Sequence, residues 1–283
     1  MYLAEKTWPD LGDYVAEESL AVVPLGSTEQ HGPHLPEGTD HLIAEALARA
    51  AADRTGHLCT PTVNVGVSPH HRQFHGTMWV DPPAFRNYVE SLTRNLTYHG
   101  IDRVVYVNAH GGNVEHLREV GRRLRDDGDA YAVEWMWNNS IPDLVEELFE
   151  SPGPHGGPKE TAMIMHIAPD LVREDRIKDA RDGGLVDWRA DDDAVVHGAR
   201  TFYDAADLRS AGSQSALRSG DAVENADNGV LGDQTDATPE AGERLFEAAT
   251  DHLVALLEWL DDQPREALFP REHVDPQPGS RRL

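Results

Sequence analysis

Short apolar runs that alternate with stretches of helical character are the feature of this sequence that most constrains its fold. Residues 20–25 and 103–108 are largely apolar, are followed by polar residues and glycine, and predict buried strands. Residues 41–52 and 114–126 have the composition and spacing of helices. Because strand and helix keep alternating, we expect an α/β fold with a mainly parallel β-sheet flanked by helices on both faces.

The remaining segments extend this pattern and set the domain limits. Further strands are predicted at 58–67 and 130–137, and further helices at 83–98, from about residue 160, and at 238–261. We expect a single domain over residues 1–262. It includes an acidic, turn-rich excursion at 182–236, and a polar, proline-rich tail follows at 263–283.

The charge balance excludes one large class of function. The chain has 50 acidic and 25 basic residues and a formal net charge of −25. A phosphate backbone requires a basic face, so we expect no nucleic-acid partner. The acidic excess is more typical of a solvated surface than of disorder, because the apolar segments are long and periodic. We interpret it as a halophilic adaptation to a salt-rich cytosol, where salt screens the repulsion between carboxylates.

Two further observations bear on location and on the ligands available to a metal. No apolar run approaches the roughly 20 residues that a membrane span requires, and the first residues lack the basic and apolar regions of a secretory signal. We therefore expect a cytoplasmic protein without a membrane partner. The single cysteine, Cys59, excludes a multi-cysteine zinc site, so any metal must be held by histidines and carboxylates.

Carboxylate and imidazole side chains concentrate directly after the first predicted strand, between Gly26 and His41. The carboxyl ends of strands are where open α/β sheets place their functional sites. Glu29 and His31 project to the same face of an extended backbone, and Asp40 can return to them from the far end of the loop. Such donors suit Zn²⁺, Mn²⁺ or Fe²⁺, and two ions that share a bridging carboxylate would generate hydroxide at neutral pH.

Two later segments have the same character. Residues 107–113, Val-Asn-Ala-His-Gly-Gly-Asn, deliver His110 from a strand into a Gly-Gly turn ahead of a helix. Residues 154–162, Pro-His-Gly-Gly-Pro-Lys-Glu-Thr-Ala, supply His155 from a loop and Glu160 near a helix start. Together the three segments offer a metal centre and an additional base.

These motifs resemble the signatures of the creatininase family. The resemblance rests on Gly-Ser-Thr-Glu-Gln-His-Gly-Pro-His-Leu-Pro from residue 26 with the later Thr-Asp, and on Asn-Ala-His-Gly-Gly-Asn at 108–113. Residues 68–77 are similar to the family's Ser…His…Phe-Pro-Gly-Thr segment, and the family order holds over residues 20–165. The resemblance implies an α/β sandwich, a homo-oligomer, usually a homohexamer, and hydrolysis of C–N bonds of small amide substrates with two divalent metals.

Roles for individual residues follow from the resemblance. It implies that Glu29 and His110 hold one metal, that His31 holds the other, and that Asp40 bridges them. The metals would bind and deprotonate a water, polarise the scissile carbonyl and stabilise the oxyanion.

One position departs from creatininase itself. That enzyme has a further ligand, a Glu two residues after the His that matches His110, and Gly112 stands there in this chain. In members with the His-Gly-Gly-Asn form, the Glu of a Glu-Thr-Ser motif can take this role, which implies that Glu160 is a ligand and a catalytic residue. His155 matches the His of the family's His-Ala-Gly loop, which is proposed to pass the proton to the leaving nitrogen.

Other polar residues allow more than one interpretation. Ser68 and His71 are candidates for substrate binding. A second metal site is the alternative for three neighbouring histidines, His70, His71 and His75, although the resemblance favours a loop that faces substrate or another subunit. His34 and His41 either line the site or serve as a helix cap or as support for the ligands.

The substrate is the least constrained part of the prediction. Gly111 and Gly112, in place of the Tyr and Glu of creatininase, argue against creatinine. The Gly-Gly-Asn form resembles members that deformylate a formamidopyrimidine intermediate of flavin and deazaflavin synthesis, and others that trim a modified peptide in mycofactocin maturation. We rank the deformylase slightly ahead, with Arg72 or Lys159 available to anchor its phosphate. The alternative of another class is a non-catalytic member that binds a metabolite or supports assembly.

The acidic composition yields a first test. The unfolding midpoint should rise with KCl concentration, because a Debye length of about 3 Å at 1 M removes most of the repulsion between surface carboxylates. Thermal unfolding followed by circular dichroism in graded KCl measures this, and sucrose at matched osmolality controls for the general effect of excluded solutes. A midpoint that stays constant or falls in KCl would exclude the salt adaptation.

Overall fold

The polypeptide forms a parallel β-sheet in the computed structural model, which describes residues 1–180 and 228–269. Within those residues the strands are β1 (Leu20–Leu25), β2 (Leu58–Cys59), β3 (Arg103–Asn108) and β4 (Tyr131–Met136), in the spatial order β2-β1-β3-β4. Every pair of neighbouring strands is parallel. The predicted α/β class with a mainly parallel sheet is confirmed.

Both faces of this sheet are buried. Every residue of β1 is buried. Leu20 and Val22 belong to one apolar cluster, whereas Ala21, Val23 and Leu25 belong to another cluster on the opposite face. Burial on both faces explains why β1 is apolar throughout and has no alternation of apolar and polar residues.

Helices cover the two faces. They are α1 (Trp8–Glu17), α2 (Thr39–Thr55), α3 (Pro82–Tyr98), α4 (Val114–Asp126), α5 (Pro142–Leu148), α6 (Pro158–Ile167), α7 (Pro239–Asp261) and α8 (Arg265–Leu268). Buried residues of α2, α6 and α7 pack in the cluster of Leu20, and those of α3 and α4 pack in the cluster of Ala21. None of these helices is long and apolar enough to cross a membrane.

The strand predicted at 58–67 is much shorter in the structure. It ends at Cys59, and an isolated bridge between Leu25 and Val63 continues the pairing. Pro61 interrupts the strand because proline has no N–H to donate to a neighbouring strand. The prediction of a long second strand was wrong for this reason.

The acidic excursion lies largely outside the described residues, and so does the tail beyond residue 269. Its two described ends are close together, since the side-chain amide of Asn228 donates to the carbonyl of Asp179 at 3.0 Å. The chain then passes the third polar segment, where the backbone N–H of Leu231 donates to the carbonyl of His155 at 2.9 Å. The predicted domain limits stay a prediction.

The carboxyl ends of β1 and β3 lie side by side at one edge of the sheet. Leu25 is in register with Asn108, so the segments that begin at Gly26 and Ala109 start from the same edge. Helix α2 also begins there: a Cβ on Gly26 would lie 2.3 Å from the backbone nitrogen of His41. Glycine at this position therefore permits the close approach that unites the polar segments.

Candidate metal centre

Asp40 lies at the centre of the polar cluster. It is the second residue of α2, and its side chain is buried. Its Oδ1 is 3.0 Å from Nε2 of His31, and its Oδ2 is 3.1 Å from Nδ1 of His110. Oε1 of Glu29 lies 3.2 Å from the same Nδ1 of His110. The structure thus brings together the four residues predicted to hold metal.

A hydroxyl and an imidazole orient Glu29. The hydroxyl of Ser68 donates to Oε2 of Glu29, and Nε2 of His71 lies 3.3 Å from Oε1. Gln30 accepts from the N–H of Gly32 with Oε1 and donates from Nε2 to Nδ1 of His71 at 2.9 Å. The proton of a neutral His71 ring is therefore on Nε2 and points at Glu29. Ser68 and His71 contact Glu29, and their role in substrate binding stays a prediction.

The two predicted catalytic residues reach the centre from the third segment. Donor atoms of His31, His155 and Glu160 lie within 4.8 Å of one another. Nε2 of His155 donates to the carbonyl of Gln30 at 2.6 Å, which leaves the lone pair on Nδ1. Glu160 stands in the first turn of α6 and accepts from the backbone N–H of Gly156 at 2.6 Å.

Burial and neighbouring charges determine which of these groups are protonated. Burial on its own would raise the pKa of Glu29, but the surrounding imidazoles, foremost His110, hold that pKa well below its usual range. Burial would lower the pKa of His31, but the Asp40 carboxylate raises it to about 10. Burial lowers the pKa of His155 well below its usual value, and the charge on His31 adds to this effect. The carboxylates are ionised and require positive charge, whereas His155 is neutral.

The donor set fits divalent metal ions. Buried carboxylates and imidazoles supply the oxygen and nitrogen atoms that Zn²⁺, Mn²⁺ and Fe²⁺ accept. Ligands bonded at about 2.1 Å to one tetrahedral ion lie roughly 3.4 Å apart, close to the separations of 3.0, 3.1 and 3.2 Å found around Asp40 and His110. Oδ2 of Asp40 is buried and receives no well-aligned hydrogen bond despite the nearby imidazole. A cation would satisfy that oxygen.

The remaining histidines of the first two segments differ in their placement. His34 is buried, and its Nε2 contacts the hydroxyl of Thr161 at 2.8 Å, so it packs against α6. His41 is half-buried. His75 is exposed and belongs to none of the ligand groups of the described residues, so the alternative metal site that included it is not formed.

Gln30 is a residue of the centre that the sequence analysis missed. Its amide nitrogen donates to His71 and also to the carbonyl of Gly229 at 2.9 Å, and its own carbonyl accepts from His155. A single glutamine has no motif of its own. Its position between Glu29 and the ligand His31 is the one signal that the sequence offers.

Gly112 occupies the position at which the resemblance to creatininase predicts a glutamate. A Cβ at this position would lie 2.2 Å from the carbonyl oxygen of Val67 and 2.5 Å from Nε2 of His110. A side chain therefore cannot be accommodated unless His110 or the segment at Val67 moves. In the present arrangement of Val67 and His110, position 112 therefore has no space for a carboxylate side chain.

A buried cluster of carboxylates and imidazoles at the carboxyl edge of a parallel sheet defines the class of metal-binding hydrolases. The comparison with known families agrees. The model of the creatininase family, described as creatinine amidohydrolase, matches residues 4–257. The chain belongs to this family and is a creatininase-family hydrolase, as the sequence motifs predicted.

Individual relatives carry different activities in their names. A mycofactocin precursor peptide peptidase of Mycobacterium ulcerans is 34% identical over 259 residues, which are 88% of this chain and 84% of the relative. A 2-amino-5-formylamino-6-ribosylaminopyrimidin-4(3H)-one 5'-monophosphate deformylase of Methanothermus fervidus is 32% identical over 59% of this chain and 65% of its own length. A solved structure of manganese creatininase has a TM-score of 0.71 at 24% identity, covers 93% of this chain and 99% of its own, and shows the shared fold.

The crowding around Gly112 can be tested by comparing alanine substitutions at Gly112 and at Gly111. Gly112→Ala should displace His110 from the carboxylates and lower the affinity for metal by about 10-fold to 100-fold. Gly111→Ala is the matched control, since no atom lies within 4 Å of a Cβ built at that position. Titration calorimetry with Mn²⁺ or Zn²⁺ measures both variants, and equal affinities would contradict the assignment.

Proposed function

We propose that this chain is a two-metal amidohydrolase whose ions share Asp40. The observation that supports this most directly is that the two oxygens of Asp40 face imidazoles from different segments. Glu29 and His110 would hold the first ion with Asp40. His31 and Glu160 would hold the second. Burial raises the pKa of the Glu160 carboxyl, so its ionised form needs a positive partner here.

Backbone carbonyls select the tautomers of the two ligand imidazoles. Nδ1–H of His31 donates to the carbonyl of Glu29 at 3.0 Å, so a bound metal would replace the proton that the raised pKa holds on Nε2. Nε2–H of His110 donates to the carbonyl of Val67 at 3.0 Å, which leaves Nδ1. Hydrogen bonds of this kind fix both the tautomer and the ring orientation of a ligand histidine. The chain thus presents a different nitrogen from each ring toward Asp40.

His155 is the residue that we assign to proton transfer. When bound, the two ions supply a hydroxide nucleophile and polarise the scissile carbonyl. The Nδ1 atom of His155, which carries the lone pair, lies 3.7 Å from Oε1 of Glu29, at the margin of the centre. Because the ring is neutral, it accepts a proton at Nδ1 and passes it to the departing nitrogen.

The substrate that we place first is the formamide group of a formamidopyrimidine phosphate. Lys159 supports this choice. Lys159 is buried at 8% exposure directly before Glu160, and in the described part of the chain its ammonium forms no ion pair. Burial lowers the pKa of Lys159, and the charge of the neighbouring Glu160 opposes this shift. A buried cation is costly without a counter-charge, so an anionic group on the substrate suits this position. The deformylase of Methanothermus fervidus carries a monophosphate in the name of its substrate.

A peptide amide is the second candidate. The peptidase of Mycobacterium ulcerans aligns with more of this chain than the deformylase does. A terminal carboxylate would pair with Lys159 as a phosphate would, so the structure alone leaves the two substrates in competition.

Substrate preference is tested with the metal-loaded enzyme. The formamidopyrimidine monophosphate should be deformylated, and Lys159→Met should raise its KM by roughly 10-fold to 100-fold, the range expected for loss of a charge-assisted hydrogen bond. Lys178→Met, at an exposed lysine, should leave KM unchanged. The dephosphorylated substrate should not distinguish wild type from Lys159→Met. If the enzyme cleaves peptide amides and does not deformylate the formamidopyrimidine monophosphate, the first substrate is excluded and the peptide amide is supported.

A test of the metal centre uses Asp40, the carboxylate that we propose is shared by the two ions. Protein purified in high salt should contain two ions per chain, and Asp40→Ala should lose both together with activity, because each ion loses a ligand. Asp53→Ala removes an exposed carboxylate from the same helix and should retain both ions. Elemental analysis provides the measurement. Metal-free wild-type protein would favour a non-catalytic, metabolite-binding member of the family.

A further inference from the structure

A further imidazole lies beside the centre and has no role in the scheme above. His70 is part of a short helical turn, Pro69–His71, and is half-buried. Its donor atoms lie within 4.8 Å of those of Glu29 and His110. The rings of His70 and His110 are parallel to within 7°, with their centroids 6.0 Å apart.

Both ring nitrogens of the neighbouring His71 have partners, whereas His155 has one on Nε2 and keeps Nδ1 for the proposed proton transfer. His71 accepts from Gln30 at one nitrogen and faces Glu29 with the other, and His155 donates to the carbonyl of Gln30. No hydrogen bond or ion pair to either ring nitrogen of His70 is present among residues 1–180 and 228–269. A ring nitrogen that lies near Glu29 and His110 and has no protein partner is available to bind an ion together with them.

Because position 112 has no space for a side chain, the ion assigned to Glu29 and His110 would need a donor from another residue. The ion assigned to Glu29 and His110 cannot receive a carboxylate from residue 112, because a side chain there would collide with Val67 and His110. Glu160 groups with His31 and His155 and not with Glu29. His70 is the donor that groups with both Glu29 and His110.

We propose that His70 is a further ligand of the ion held by Glu29, Asp40 and His110. The proposal rests on the two-metal centre and adds to it. His70 would give that ion a fourth protein donor, whereas the ion assigned to Asp40, His31 and Glu160 would have three.

The test compares His70→Asn with His75→Asn, which changes an exposed histidine of the same segment. His70→Asn should raise the dissociation constant of one ion by at least about tenfold and leave the other unchanged. The absorption spectrum of the Co²⁺-substituted protein should change in His70→Asn and not in His75→Asn, because its visible bands depend on coordination number. His70→Asp, which restores a donor, should recover most of the affinity, and a circular dichroism spectrum like that of wild type shows that each variant is folded.

The outcomes separate this proposal from the function on which it rests. Wild-type protein without two ions would overturn the metal centre and this ligand with it. If wild-type protein binds two ions, and His70→Asn binds both with wild-type affinity and an unchanged Co²⁺ spectrum, the ligand role of His70 is overturned while the centre stands. A raised KM as the sole effect would likewise overturn it and make His70 a contact of the substrate.

Discussion

Two buried carboxylates, Glu29 and Asp40, are the constraint on which the rest of this structure depends. Ionised carboxylates away from water are unfavourable unless positive charge or hydrogen bonds compensate them. The compensation here comes from imidazoles of four segments that are distant in sequence, so the fold must keep those segments in contact. A parallel sheet can do so because its strands end at one edge, and the close approach at Gly26 lets α2 begin there.

The side chains around these carboxylates are held by different kinds of structure. At Gly112 the backbone of the Val67 segment and the ring of His110 occupy the space that a side chain would need. Asp40 stands at the start of α2 and Glu160 at the start of α6, so helices position these two carboxylates. His70 comes instead from the short turn Pro69–His71.

The sequence predicted some elements and contacts well, for reasons that differ between them. β3 and α4 have the predicted bounds because their periodicity is unambiguous. The sequence analysis missed α1, although Thr7 and Asp10 have the spacing of a capping box at the start of a helix. In the structure the Asp10 carboxylate accepts from the N–H of Thr7 at 2.8 Å. The sequence could single out Glu29, His31, Asp40 and His110, which the structure brings together, because they occur in short local motifs. The contacts of Gln30 could not, because they join residues 41 and 125 positions apart, and only the folded chain determines that distance.

The hydrogen bond between Asn228 and Asp179 has a consequence for the candidate centre. The residues that follow Asn228 hold two side chains of that centre: the carbonyl of Gly229 accepts from the amide of Gln30, and the N–H of Leu231 donates to the carbonyl of His155. Because Asn228 directly precedes these residues, its bond to Asp179 helps to fix where they approach the centre. The placement of Gln30 and His155 therefore depends in part on a contact outside the ionisable cluster, and a change at Asn228 would reach His155 without altering a candidate metal ligand.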